Sequence, residues 1–169
     1  MIIVPTVTNL TDINMKTKIQ YVTGNVLEAP QPIIVHQVNC QGVMGSGVAK
    51  AIRDKYPEVY MRYNDYVLDH LDIEDFHSSR LLGRTFLTQG KDGKIIANVF
   101  GQDHFIPRGI RHTSYDALEK GLQQLKNDTD GDLAMPRIGC GLGGGDWHIV
   151  SAIIESVFDD RNIYVYDLE

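Results

Sequence analysis

Two stretches of this chain set glycine at nearly alternate positions, directly after an apolar run of strand length and directly before a helical pattern. The first is Asn39-Cys40-Gln41-Gly42-Val43-Met44-Gly45-Ser46-Gly47, and the second is Pro136-Arg137-Ile138-Gly139-Cys140-Gly141-Leu142-Gly143-Gly144-Gly145-Asp146-Trp147. Glycine lets the backbone approach a ligand with no Cβ between them. A helix beginning just beyond adds unpaired N–H donors and a partial positive charge. Two such loops facing each other form a groove suited to a diphosphate and its attached sugar; the plainer reading makes each only a tight connection. Neither follows the Walker pattern, which needs Lys-Ser/Thr after the last glycine, and the spacing does not suit a dinucleotide fingerprint.

The rest of the chain alternates strand and helix patterns. Ile19–Val22, Ile33–Val38, Arg84–Thr88, Lys94–Phe100, Leu133–Met135 and Ile163–Tyr166 read as six strands. The run Ile33-Ile34-Val35-His36-Gln37-Val38 is apolar enough for a strand covered on both faces. Helical spacing runs over 48–53, with Ser46 as its N-cap, then over 58–70, 113–125 and 147–158. Lys91-Asp92-Gly93 has the D-G pair of a hairpin turn. Strands alternating with helices imply a three-layer α/β/α sandwich on a mixed, mostly parallel sheet. Residues 1–17 read as an N-terminal extension, with Ile2-Ile3-Val4 a short edge strand, and residues 18–169 as one domain.

Composition narrows the function classes. A net charge of −6 argues against a protein that grips long nucleic acid through phosphate neutralisation. It leaves room for a small anionic ligand, because backbone amides hold a diphosphate without lysines. Two cysteines and six scattered histidines offer neither a disulfide framework nor metal-ligand spacing. No metal and no cofactor are expected. No apolar run reaches the roughly 20 residues of a membrane helix, and no leader pattern opens the chain, so the expectation is a cytoplasmic, monomeric protein with no membrane partner.

Beyond these patterns, Asn39 to Ala49 resembles the first ligand loop of macro domains, Met135 to Leu142 is similar to their second, and Tyr21-Val22-Thr23-Gly24-Asn25-Val26-Leu27 looks like the strand and turn that touch adenine. The order and spacing match over about residues 18–168. Within that superfamily the chain most resembles the ADP-ribose-1''-phosphate phosphatases and the terminal ADP-ribose protein glycohydrolases. The resemblance implies a macro-domain fold and ADP-ribose, or ADP-ribose-1''-phosphate, as ligand. It puts Gly24, Asn25 and Val26 at the adenine, with Asn25 where the family usually has an Asp. Gln37, Val38 and Asn39 fall at the distal ribose. Met44, Gly45, Ser46, Gly47, Val48 and Ala49 fall on one side of the diphosphate, with Ile138, Gly139, Cys140, Gly141, Leu142, Gly143 and Gly144 on the other. Phe100 and Phe105 pack against the distal ribose or, for Phe100, simply into the core.

Three functions follow from the resemblance: a phosphatase acting on ADP-ribose-1''-phosphate, a hydrolase removing ADP-ribose from protein or nucleic acid, and a non-catalytic reader. His36 points to the first. It resembles the histidine implicated in phosphate removal, at the same spacing from Asn39 and Gly42, and an imidazole near neutral pKa serves as acid or base. A histidine closing a hydrogen bond inside a buried strand is the alternative. The glycohydrolase branch uses a lysine near the end of the 95–100 strand and an aspartate after Gly-Cys-Gly-Leu; here those positions hold Gln102 and Gly143. Asp146 is either a catalytic carboxylate beside His36 and Asn39 or the N-cap of the Trp147 helix. Asp103, His104, Arg108 and Arg111 either line the distal end or form a solvated surface.

Overall fold

The computed structural model describes residues 18–168. The extension 1–17, with its expected edge strand, lies outside the described residues. Six strands form one sheet: β1 (Ile19–Thr23), β2 (Ile33–Asn39), β3 (Thr85–Gln89), β4 (Ile95–Gln102), β5 (Leu133–Met135) and β6 (Ile163–Asp167). Their spatial order is β1-β6-β5-β2-β4-β3, and every pairing is parallel except β3 with β4. Four helices cover the sheet: α1 (Gly47–Lys55), α2 (Pro57–Leu71), α3 (Tyr115–Asp128) and α4 (Trp147–Val157). Pro57 opens α2, where its missing N–H costs nothing. Ser114 caps α3 by accepting from the Ala117 N–H. The antiparallel β3–β4 pair turns at the expected Asp92-Gly93, where the Gly90 N–H bonds the Lys94 carbonyl at 2.8 Å.

The sheet divides the core in two. Ile34 and Val38 of β2 meet Ile52, Val59, Tyr63 and Val67 of α1 and α2 on one face. Ile33 and Val35 meet Leu118, Leu122 and Leu125 of α3 and Val150 and Ile154 of α4 on the other. β2 is thus covered on both faces, as its apolar run requires. Each such fully buried aliphatic side chain contributes roughly 1.5–3 kcal/mol. Two short 3-10 turns, Val26–Glu28 and Ser78–Leu81, stand where only loop is expected. Trp147 differs from a simple core residue. It is half-buried at the edge of the α3–α4 side, with its indole N–H donating to the Tyr21 hydroxyl at 3.0 Å. No helix among the described residues is long and apolar enough to cross a membrane.

α3 approaches the sheet through Gly121. A Cβ there lies 2.6 Å from Val99 Cγ1 and 3.1 Å from Thr85 Oγ1, and Thr85 Oγ1 also donates to the Gly121 carbonyl at 2.6 Å. Gly121→Ala is expected to destabilise the protein by up to about 2 kcal/mol, because crowding of about 1–3 kcal/mol opposes the ~1 kcal/mol helix propensity gain. Urea unfolding checks this as a lower midpoint at unchanged slope; a raised midpoint means α3 does not pack this closely.

Candidate functional site

Parallel strands leave their carboxyl ends on one edge of the sheet, where open α/β folds bind ligands. Here that edge opens into a cleft of about 780 Å³. The pairing register of β2 on β4 slips between Val38 and Asn39, a bulge of the kind that re-aims side chains. Asn39 then organises the first loop. Its Oδ1 accepts from the N–H groups of Gln41 (3.0 Å) and Val43 (3.3 Å) and from the Tyr63 hydroxyl (3.0 Å), while Nδ2 donates to the Val43 carbonyl at 2.8 Å. Gln41 ties this loop to the segment after β4 through the Asp103 carboxylate at 3.0 Å, and Ser78 donates to the same oxygen at 2.7 Å. The loop feeds α1, whose first N–H groups have no acceptor one turn back. Ser46 occupies the N-cap position but its hydroxyl makes no capping bond, so it stays available to a ligand.

The second loop is braced from beneath. Gln37 Nε2 donates to Thr113 Oγ1 (2.9 Å) and Gln102 Oε1 (2.7 Å), and Thr113 Oγ1 donates to the Gly139 carbonyl at 2.7 Å. Gly139 has φ +72°, a left-handed turn that glycine alone adopts without strain. The Gly143 carbonyl accepts from the N–H groups of His112 and Thr113. Among the described residues, the N–H groups of Gly141, Leu142 and Gly143 have no protein acceptor. Both these residues and the first turn of α1 line the cleft, and unpaired amides suit an anion there.

Most expected ligand residues meet at this cleft: 24–26, 36–39, 45–49 and 138–143. Four expectations need correction. Met44 is fully buried in the core under α1 and α2. Phe100 is also fully buried, its ring 5.9 Å from Tyr63 and 5.8 Å from Tyr66, so the core reading applies. Gly144 lies against the backbone of Ile110 and Arg111. The Asp146 carboxylate accepts from the His148 N–H at 2.8 Å as the N-cap of α4, outside the cleft lining. Asn25 lines the cleft, and its Oδ1 accepts from the Leu27 N–H at 3.0 Å, which fixes the oxygen and leaves a lone pair for a further donor. Phe105, Arg108 and Gln102 line the cleft, whereas Asp103, His104 and Arg111 do not.

Sequence reasoning missed the strand end of β6. Tyr166, Asp167 and Leu168 line the cleft beside Gly24, whose N–H donates to the Asp167 carbonyl at 2.8 Å. Arg137 holds the Asp167 carboxylate through two hydrogen bonds of 2.8 and 3.0 Å and lies 5.4 Å from both the Tyr21 and Trp147 rings. That partner keeps Asp167 below the usual carboxylate range. The strand-end rule that found the two glycine loops applies equally to β6.

Beside the arginines and Asp167, two side chains that line the cleft, His36 and Cys140, are neutral, as is the buried Cys40 thiol. Burial pushes the Cys40 thiol up to about 12, with Asp103 adding to the effect, and burial pushes Cys140 up to about 11. Neither is a thiolate nucleophile at neutral pH. His36 is almost fully buried on β2, with Nε2 at 2.7 Å from Asn98 Oδ1 and no partner for Nδ1. Burial lowers its pKa to about 4, against the opposing hydrogen bond to Asn98. The expectation of a near-neutral imidazole gives way to one that is deprotonated at pH 7. Gly143, at the expected aspartate position, has no room for any side chain: a Cβ lies 2.5 Å from Thr113 Oγ1, 2.9 Å from the Gly139 carbonyl and 3.0 Å from Gln37 Nε2. Among the described residues no cluster of three or more His, Cys, Asp or Glu could hold a metal ion.

Comparison with known proteins gives concordant matches. A family model described as Macro domain matches residues 35–154. The chain is 31% identical over 159 residues to the ADP-ribose glycohydrolase OARD1 of Bos taurus, covering 90% of this chain and 93% of that one. It is 26% identical over 175 residues to the ADP-ribose 1''-phosphate phosphatase of Scheffersomyces stipitis, covering 87% and 99%. The macrodomain of Mycobacterium tuberculosis DarG superposes with a TM-score of 0.73 at 25% identity, covering 89% of this chain and 97% of that one.

The buried histidine sets a pH dependence. Between its ordinary value of 6.5 and its folded value of about 4, the unfolded chain binds a proton that the native protein does not. Its contribution is therefore full above pH 6.5 and declines as pH falls toward 4, by roughly 3 kcal/mol in all. Denaturant unfolding across this range is expected to show that slope in the wild type and a flatter profile in His36→Gln. Parallel profiles would mean His36 is not held neutral by burial.

Proposed function

The chain belongs to the macro domain family, and from that premise we propose that it binds ADP-ribose in the cleft and hydrolyses the terminal phosphate of ADP-ribose-1''-phosphate. The observation that carries the ligand is that one cleft is lined by two loops with unpaired amides: the first turn of α1 with the uncommitted Ser46 hydroxyl, and Gly141 to Gly143. Backbone donors suit a diphosphate in a chain of net charge −6. Residues 24–27 and 166–168 line the cleft side by side and would take the adenine.

Hydrolysis of an ADP-ribose derivative is the activity named for relatives on both branches. Two features favour the phosphomonoester over lysine–aspartate removal of ADP-ribose. Gln102 stands near the lysine position with its Oε1 taken by Gln37, and Gly143 is walled in by Thr113 and Gln37. In the proposed reaction a water oxygen bonds to phosphorus while the bond from phosphorus to the ribose oxygen breaks, giving ADP-ribose and phosphate. His36, deprotonated at neutral pH, accepts a proton from the attacking water, and that proton passes on to the leaving ribose oxygen, so the products are ADP-ribose and hydrogen phosphate and the ring is restored.

Calorimetric titration is expected to show tighter binding of ADP-ribose than of AMP; equal affinities would refute the ligand assignment. Phosphate release from ADP-ribose-1''-phosphate is expected in the wild type and reduced by ~10²-fold or more in His36→Ala, which should still bind ADP-ribose. Release of label from an ADP-ribosylated macromolecule, with no phosphate released from the small substrate, would replace the phosphatase reading by the glycohydrolase one.

A further inference from the structure

His36 and Asn98 form a polar pair in an otherwise apolar face. They sit opposite each other in the parallel register of β2 and β4. Ile34 and Val38 flank His36 two residues away on its strand, and Ile96 and Phe100 flank Asn98, all buried in the core beneath α1 and α2. Both residues are buried, Asn98 completely. Burying polar groups costs free energy unless each is hydrogen-bonded, and an apolar pair of similar shape would serve stability at least as well. Polar groups retained at such a position call for a role beyond packing.

The hydrogen bonds around Asn98 leave no freedom in how the pair is protonated. Asn98 Nδ2 donates to the Phe86 carbonyl at 2.9 Å and to Thr88 Oγ1 at 3.0 Å, with the Ile96 carbonyl at 3.3 Å. Carbonyls only accept, so the amide cannot be turned over. Thr88 Oγ1 spends its own proton on the Ile96 carbonyl at 3.0 Å, so it too accepts from Asn98. Asn98 Oδ1 therefore faces His36 Nε2 at 2.7 Å and must accept from it. In the neutral ring the proton is then on Nε2, and Nδ1 carries a bare lone pair. The network is satisfied everywhere except at that atom, which is buried and unpartnered on a residue that lines the cleft.

We propose that Asn98 is a positioning residue for the cleft: it locks His36 in the Nε2–H tautomer and so presents Nδ1 as an acceptor for an O–H group, either a hydroxyl of the bound nucleotide-sugar or a water beside it. Asn98 touches no ligand and acts through His36. The proposal rests on the cleft being the ligand site but not on the phosphatase chemistry. A protonated ring would put a second, unpartnered N–H in the same buried place, so the lock also favours acceptance over donation.

Nitrogen-15 NMR of the imidazole in the full chain tests this directly. The wild type is expected to show His36 protonated on Nε2 and bare on Nδ1, with the Nδ1 resonance moving on saturation with ADP-ribose. Movement with ADP-ribose but not with ADP assigns the donor to the distal ribose; movement with both assigns it to a hydroxyl or water of the shared part. In Asn98→Ala the tautomer preference and the ligand-induced movement should be lost, with ADP-ribose binding weakened by about 5–10-fold. A wild-type ring protonated on Nδ1, or an Nδ1 signal indifferent to every ligand that calorimetry shows to bind, overturns the proposal, and neither result needs Asn98→Ala to fold. The expected NMR result without phosphate release would refute the phosphatase reading alone; phosphate release with the wrong tautomer would refute the positioning role alone.

Discussion

Burial of β2 on both faces is the constraint on which the cleft depends. A strand packed between α1–α2 and α3–α4 denies its polar side chains water, so those at its end must find partners in the loops. Two carboxamides do this work. Gln37 serves the α3 side, bonding Thr113 and through it the Gly139 carbonyl. Asn39 serves the α2 side, bonding Tyr63 and folding the first loop around its own amide. Strict alternation would send both to the same face. The register slip between Val38 and Asn39 separates them, so one strand end braces both loops.

That arrangement explains the chemical character of the site. Gln37 and Asn39 are already bonded to the loops, and the thiols and the imidazole stay neutral because they are buried. What the cleft offers a ligand is fixed dipoles: loop amides, the start of α1, and a lone pair on His36. Dipoles held by the fold need no reorganisation when an anion arrives. The only ion pair at the cleft, among the described residues, is Arg137 with Asp167. It is exposed and contributes little to stability, while fixing Arg137 beside the Tyr21 and Trp147 rings.

The sequence made the architecture legible where periodicity is local. The run 33–38 announced a doubly covered strand, and the two glycine loops announced the cleft, because a strand end, a glycine pattern and a helix start are adjacent in the chain. Side-chain commitments were less legible because their partners are distant. Nothing near Asn25 says that its oxygen also caps the turn at Leu27. His36 looked like a near-neutral imidazole because the burial that lowers its pKa comes from elements distant in the chain, while its partner Asn98, 62 positions on, is invisible from its own segment. Met44 sits within a ligand loop by sequence but turns into the core, and Phe100 ends a strand on the face that α2 covers. Arg137 and Asp167 are 30 residues apart and become neighbours only through parallel β5 and β6.

Gly143 shows how bracing and chemistry compete for one space. The resemblance to the glycohydrolase branch puts an aspartate at this position, and the chain is otherwise similar enough to suggest that one substitution would install it. The geometry says otherwise. A Cβ at residue 143 meets Thr113 Oγ1, the Gly139 carbonyl and Gln37 Nε2 at once, and all three are the atoms that hold the second loop to β2. Gln102, near the branch's lysine position, is the other acceptor for Gln37. Admitting the aspartate would dismantle the brace, and replacing Gln102 would remove the acceptor that positions it. The two positions are therefore coupled through Gln37: the amide network that shapes this cleft for a diphosphate is the same one that excludes the alternative pair of catalytic groups.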